Sequence, residues 1–189
     1  ADDMAATVLV KQLFDIYVSQ PDVLEQLYDF EVREPVRKKA EELAKESRTD
    51  PVRLRLESWA VVCSRNQDAA AYERGLRQAR EACRLVPKTG PYLATLGIAH
   101  YRLGHWDDAI RSLNASYGWY RENPKDEDIY CFAAVAILAL ANDQLGESGK
   151  AQEFRKYLED LWKEPRFGDD RQAADIKREV DTAARPNPT

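Results

Sequence analysis

Residues 95–110 read TLGIAHYRLGHWDDAI, and they hold both histidines of the chain, His100 and His105, followed closely by Asp107 and Asp108. Two imidazoles and two carboxylates so near one another are either a metal or acid–base site or ordinary positions of a helical fold. The local pattern predicts a helix over 91–103, a turn at Gly104 and a second helix over 106–122. The histidines then lie five residues apart with a helix end between them, so they do not share a face as an i, i+4 ligand pair would. Asp107 and Asp108 are expected to cap the amino end of the second helix and to favour it through its dipole. A structural role is the expectation. The distant alternative is a hydrolase or metal-binding protein using His100 and Asp107, which would need further converging ligands.

Outward from this stretch the same helical period continues. Val8, Leu9, Leu13, Ile16 and Tyr17 recur at three- and four-residue spacing, as do Leu76, Ala79, Ala82, Cys83 and Val86. No useful segment alternates apolar and polar at period two, and no Asn-Gly or Asp-Gly hairpin signal occurs. The prolines respect the pattern: Pro21, Pro35, Pro51, Pro91 and Pro124 each precede a helical run, Pro87 and Pro165 follow one, and Pro186 and Pro188 fall in a frayed tail. Asp50 is a ready N-cap. These marks predict helices over 3–19, 21–31, 35–47, 51–65, 68–86, 91–103, 106–122, 126–145, 147–164 and 170–184, an all-α fold.

The chain also repeats itself. Trp59 is followed three and four positions later by Val62 and Cys63, then by Ala82 and Pro87. Leu93, 34 residues on from Trp59, has Leu96 and Gly97 at the same offsets, then Tyr101, Gly104, Trp106, Ala109 and Leu113. A third copy, VAILALANDQLGESGKAQEFRKYLEDLWKEP, places Leu138-Ala139, Leu145-Gly146, Ala151 and Pro165 in the corresponding slots. Small residues at Gly75, Gly97, Ala109 and Ala151 would let two helices of a pair cross closely. Residues 51–168 resemble the tetratricopeptide repeat (TPR) family. The resemblance implies antiparallel helix pairs stacked as a right-handed α-solenoid, flanked by amino-terminal helices (1–50) and by a carboxyl-terminal capping helix with a disordered tail (169–189). Departures from the pattern are Gly75 for the usual Ala, a first helix broken by SRNQD, and a third copy that begins 42 residues after Leu93, with Gly118 marking an extension or bend. More loosely, SWAVV, YERGLRQAREACRLVP and the upstream LVKQLFDIYVSQPDVLEQL look like TPR-bearing regions at the carboxyl end of some bacterial serine/threonine kinases and WD-repeat proteins. No Gly-rich loop, HRD or DFG motif is present in the sequence.

Composition narrows the partners. A net charge of −5 argues against nucleic acid or an anionic membrane, both of which reward clustered Lys and Arg. The longest apolar run, near 132–141, is too short to span a bilayer, and the acidic start lacks the basic region of a signal peptide. Without an initiating Met, Ala1 reads as a boundary inside a longer polypeptide. Three widely spaced cysteines, Cys63, Cys83 and Cys131, suit reduced cytoplasmic thiols. Cys63 falls at a close-packing position and is expected to be buried and inert, with no His or basic helix end to activate it. The basic run in 33–47 is read as a solvated helix face paired with its own glutamates.

In TPR arrays the first helix of each pair lines a concave groove, which the resemblance assigns here to Ala94, Ile98, Tyr101, Arg102, Ala133, Ala136, Leu140 and Asp143. The Lys/Asn/Arg set with which some members hold a terminal carboxylate is missing from these positions. Recognition of an apolar or helical protein segment is therefore expected. The competing expectation is that the chain's own terminal helices fill the groove, since 169–184 carries Ala173, Ile176, Val180 and Ala183 on one stripe. The sequence thus predicts a non-catalytic interaction or scaffolding module without cofactor or metal, part of a larger signalling protein. A dimerisation or spacer role, through a homodimer or an intramolecular domain contact, is the alternative.

Overall fold

The computed structural model describes residues 1–47, 49–126 and 128–183. Among the described residues the chain is helical and has no strand. The helices are α1 (Asp2–Tyr17), α2 (Gln20–Gln26), α3 (Glu34–Glu46), α4 (Pro51–Val62), α5 (Ala69–Leu85), α6 (Gly90–Arg102), α7 (Trp106–Glu122), α8 (Ile129–Gln144), α9 (Ser148–Trp162), α10 (Pro165–Gly168) and α11 (Arg171–Ala183). No helix among them is long and apolar enough to cross a membrane. Two compact units divide at Leu54 and Arg55.

The first unit is built on α1 and α3. Ala6, Leu9, Val10 and Leu13 of α1 pack with Val23 and Leu27 and with Val36, Ala40 and Ala44 of α3. Ser19 caps α2, its Oγ accepting from the Asp22 N–H at 3.3 Å. The Gln20 amide donates to the Ala44 and Lys45 carbonyls at 2.9 Å, which satisfies acceptors that the end of α3 would otherwise leave open. The basic face of α3 pairs with its own glutamates, Lys39 with Glu42 and Lys45 with Glu41. Helix α2 stops at Gln26, short of the expected residue 31, because Tyr28 and Asp29 turn back through i→i−3 bonds to Glu25 and Gln26.

In the second unit each helix packs on its sequence neighbour, α5 on α6, α6 on α7, α7 on α8 and α8 on α9, while α6 also meets α8. Close approach explains the small residues. A Cβ on Gly97 would lie 2.5 Å from Cγ of Leu113, and Ala109 and Ala151 are fully buried. The α6–α7 turn closes with the His105 N–H on the His100 carbonyl and the Gly104 N–H on Tyr101, and Gly104 takes φ 75°. The α8–α9 turn repeats this, with Glu147 on Asn142, Gly146 on Asp143 and Gly146 at φ 74°. Both are Schellman turns, which need a residue free of a Cβ penalty.

Several expected boundaries are corrected by capping. Pro124 opens a short 3-10 helix, Pro124–Asp126, and α8 begins only at Ile129, where the Asp128 carboxylate accepts from the Tyr130 and Cys131 N–H groups. Pro165 does not simply end a helix but starts α10. Helix α7 runs unbroken past Gly118 and, at 17 residues, is the same length as α5, so the expected extension is not seen. Helix α4 ends at Val62, which leaves Cys63 in the following loop, half-buried and outside the helix expected to contain it. Tyr72 pins that loop by donating to the Ser64 carbonyl at 2.7 Å. The expected tail with Pro186 and Pro188, and residue 184 of the last helix, lie outside the described residues.

Candidate functional site

The eight groove residues come together on α6 and α8, which pack on each other. Ala94 and Ile98 of α6 and Ala133, Ala136 and Leu140 of α8 are buried, while Tyr101, Arg102 and Asp143 stay half-buried. What covers this face is α11. It packs along α8, and its Ala173, Ile176 and Val180 belong to the same core as Ile98, Ala133, Ala136 and Leu140. The helix reaches beyond α8: Trp59 of α4 donates its indole N–H to Gln172 at 3.3 Å, and Glu179 meets Arg102 at the end of α6.

That last contact is the most organised polar feature here. Arg102 Nη1 and Nη2 donate to the two Glu179 oxygens at 2.5 and 2.9 Å, and its Nε donates to the Val62 carbonyl at 2.8 Å. The two side chains are only 8% and 9% exposed, so the pair is shielded from solvent. Burial works against the Arg102 charge, but the hydrogen bond and attraction of Glu179 outweigh it and raise the guanidinium pKa. Arg65 lies 3.9 Å from the same carboxylate. A planar fork held at three points suits bidentate reading of a carboxylate. Asp143 is instead paired with Arg155, and together with Leu140, Gln144, Lys156 and Glu159 they line an open depression of about 580 Å³ that reaches Ala183.

Beside this face Arg55 of α4 lies over two rings, Tyr130 at 4.5 Å and Tyr92 at 5.3 Å, and Tyr130 in turn meets the Trp59 ring at 4.2 Å. Arg55 Nε and Nη1 are buried without a hydrogen-bond partner, so the ring faces carry the guanidinium's electrostatic contact. Sequence reasoning missed Arg55, Gln172 and Glu179. For Glu179 a signal existed, an acid adjoining the apolar stripe of a helix that the sequence placed as an end cap.

The histidines do meet, contrary to the expectation from their spacing. The Schellman turn folds His105 back over the end of α6, and the two Nδ1 atoms lie 3.4 Å apart. His100 is buried, and burial first, then the nearby Arg80 charge, lowers its pKa to about 4. His105 is exposed. Asp107 and Asp108 occupy the first turn of α7 and favour its dipole, but the N-cap is His105 and neither aspartate caps it; Asp108 pairs with Arg111 at 2.8 Å. Among the described residues no group of three or more His, Cys, Asp or Glu side chains is placed to hold a metal ion. Burial pushes the Cys63 thiol up and the Cys83 thiol up to about 12, so neither is a ready thiolate.

No protein-family model matches the chain, and neither a curated protein nor a solved structure matches it.

Proposed function

We propose that this chain is a non-catalytic protein-interaction module of the TPR kind, a right-handed stack of helix pairs within a larger cytoplasmic signalling protein, and that it binds an amphipathic helix of another polypeptide on the face made by α4, α6 and α8. The observation that carries this reading is the seating of α11. The face already holds the chain's own α11 through small aliphatic side chains and one bidentate ion pair, which supports reading it as suited to a helix. The matching Schellman turns after α6 and α8 and the close crossing at Gly97 support the helix-pair architecture.

The reading is tested by selecting displayed random 15-residue amphipathic peptides on the full chain. Enrichment of helix-forming sequences with a narrow small-aliphatic stripe, cross-linking to the Tyr101 or Asp143 side of the groove, is the expected result. A selection that enriches nothing, or hydrolytic turnover by the chain that His100→Gln abolishes, would sink the reading.

A further inference from the structure

Helix α8 is buried at every position from Cys131 to Asn142, hemmed in by α6, α7, α9 and α11. A helix that is apolar all round must be covered on all sides, so the side facing α11 does not tolerate standing empty. Yet α11 brings modest means to cover it. Its buried apolar side chains are Ala173, Ile176 and Val180, and the rest of its hold is polar: Gln172 to Trp59, Lys177 to Glu159, and Glu179 to Arg102. Thirteen residues make a marginal helix when alone in water. A buried ion pair adds less than its geometry suggests, because desolving both charges offsets most of their attraction. This seat is therefore occupied by a helix that relies on three apolar side chains and three polar contacts.

We propose that this face is a helix-recognition site keyed by Arg102, with α11 as its resident occupant. The partner it fits is a helix from another polypeptide with small aliphatic side chains at i, i+3 and i+7 and a glutamate at i+6, the spacing of Ala173, Ile176, Val180 and Glu179. Such a helix displaces α11 and takes over its pair with Arg102. The Val62 carbonyl fixes Arg102 from below, so the fork is aimed before any carboxylate arrives. Lysine offers a point charge and cannot make the two parallel bonds. This inference rests on the reading of the chain as a receptor for helical segments, and it adds which helix is selected and what must leave.

The test uses full-length chain and a fluorescein-labelled synthetic peptide of the α11 sequence, residues 169–183, followed by anisotropy. Glu179→Arg weakens the resident helix only. That chain should bind the peptide at least about tenfold more tightly than wild type, a difference near 1.4 kcal/mol. Adding Arg102→Lys should remove most of the gain, and a peptide carrying Arg in place of its glutamate should not bind the Glu179→Arg chain. Equal binding by all chains, or binding indifferent to Arg102, overturns the proposal. So does a stable wild-type dimer in light scattering that exchanges α11 between copies, since the occupant is then a second copy. Should Glu179→Arg fail to fold, hydrogen exchange on wild type decides: α11 amides should exchange at least about tenfold faster than those of α8, and equal protection sinks the idea. Selected foreign peptides that bind while α11 stays protected would leave the interaction reading standing and remove this one alone.

Discussion

Helices α1 and α8 have 16 residues each, and both are rich in apolar side chains, but they end in opposite circumstances. Every residue of α8 from Cys131 to Asn142 is buried, whereas α1 buries Ala6, Leu9, Val10 and Leu13 and leaves Met4 76%, Val8 50% and Ile16 50% exposed. The difference lies in composition, since α1 carries Asp2, Asp3, Lys11 and Asp15 and α8 only Asp143, and in the neighbours. Four helices surround α8, while within its unit α1 packs chiefly on α3 and α2. An apolar residue is worth what packs against it, so the exposed Met4, Val8 and Ile16 carry less weight in the fold than the apolar residues of α8.

The sharpest way to break that contrast is Phe132→Ala. Phe132 is fully buried on α8 against the rings of Phe167 at 5.1 Å and Trp162 at 6.0 Å. The substitution should cost about 3–5 kcal/mol in urea unfolding. A loss under about 1 kcal/mol would mean that the crowding around α8 carries little energy. Next come two glycines in helices. A Cβ on Gly97 would sit 2.5 Å from the Leu113 side chain and 3.1 Å from its backbone nitrogen, while one on Gly118 would meet nothing within 4 Å. Gly97→Ala should destabilise by about 1–3 kcal/mol despite the better propensity of alanine. Gly118→Ala should stabilise by up to about 1 kcal/mol.

The histidines offer the same contrast in titration. His100 is neutral in the folded chain down to about pH 4, whereas in the unfolded chain it takes up a proton near the ordinary imidazole value of about 6.5. Between those values the unfolded state binds more protons, so stability should fall as pH drops from about 7 to about 5. The accompanying fall in Tm should shrink in His100→Gln and persist in a variant of the exposed His105. Smallest of all is Val8→Lys on the open side of α1, expected to stay within about 0.5 kcal/mol of wild type. Unfolding of the first unit by that change would show that its outer stripe has a role its exposure hides.

The helices themselves were legible because their period, prolines and caps agree. Asp50 bonds the Val52 N–H at 2.9 Å as its position suggests, and Asp68 and Asp170 cap α5 and α11 in the same way. Boundaries failed where a side chain outcompeted the pattern, as Asp128 does at the start of α8. That the eight residues lie on two helices was legible too, and those helices, α6 and α8, pack on each other. What sequence could not give is that Arg102 is consumed by an acid 77 residues away. Local periodicity carries no information about which distant helix a face will hold. The histidine contact was missed for a different reason: linear spacing describes a continuous helix, and a left-handed glycine between two residues reverses the chain.

The twin turns at Gly104 and Gly146 bear on how length can change in this chain. Each joins its two helices in three residues, Leu103–His105 and Leu145–Glu147, with the same pair of backbone bonds. The pairs α6–α7 and α8–α9 span 33 and 34 residues, whereas the connections that precede them, 86–89 and 123–128, have four and six, the longer one carrying the 3-10 helix. The helix pair is thus the conserved length and the connector the elastic one. An insertion placed beside Pro124 lengthens a joint, whereas one placed beside Gly104 would unlock a pair.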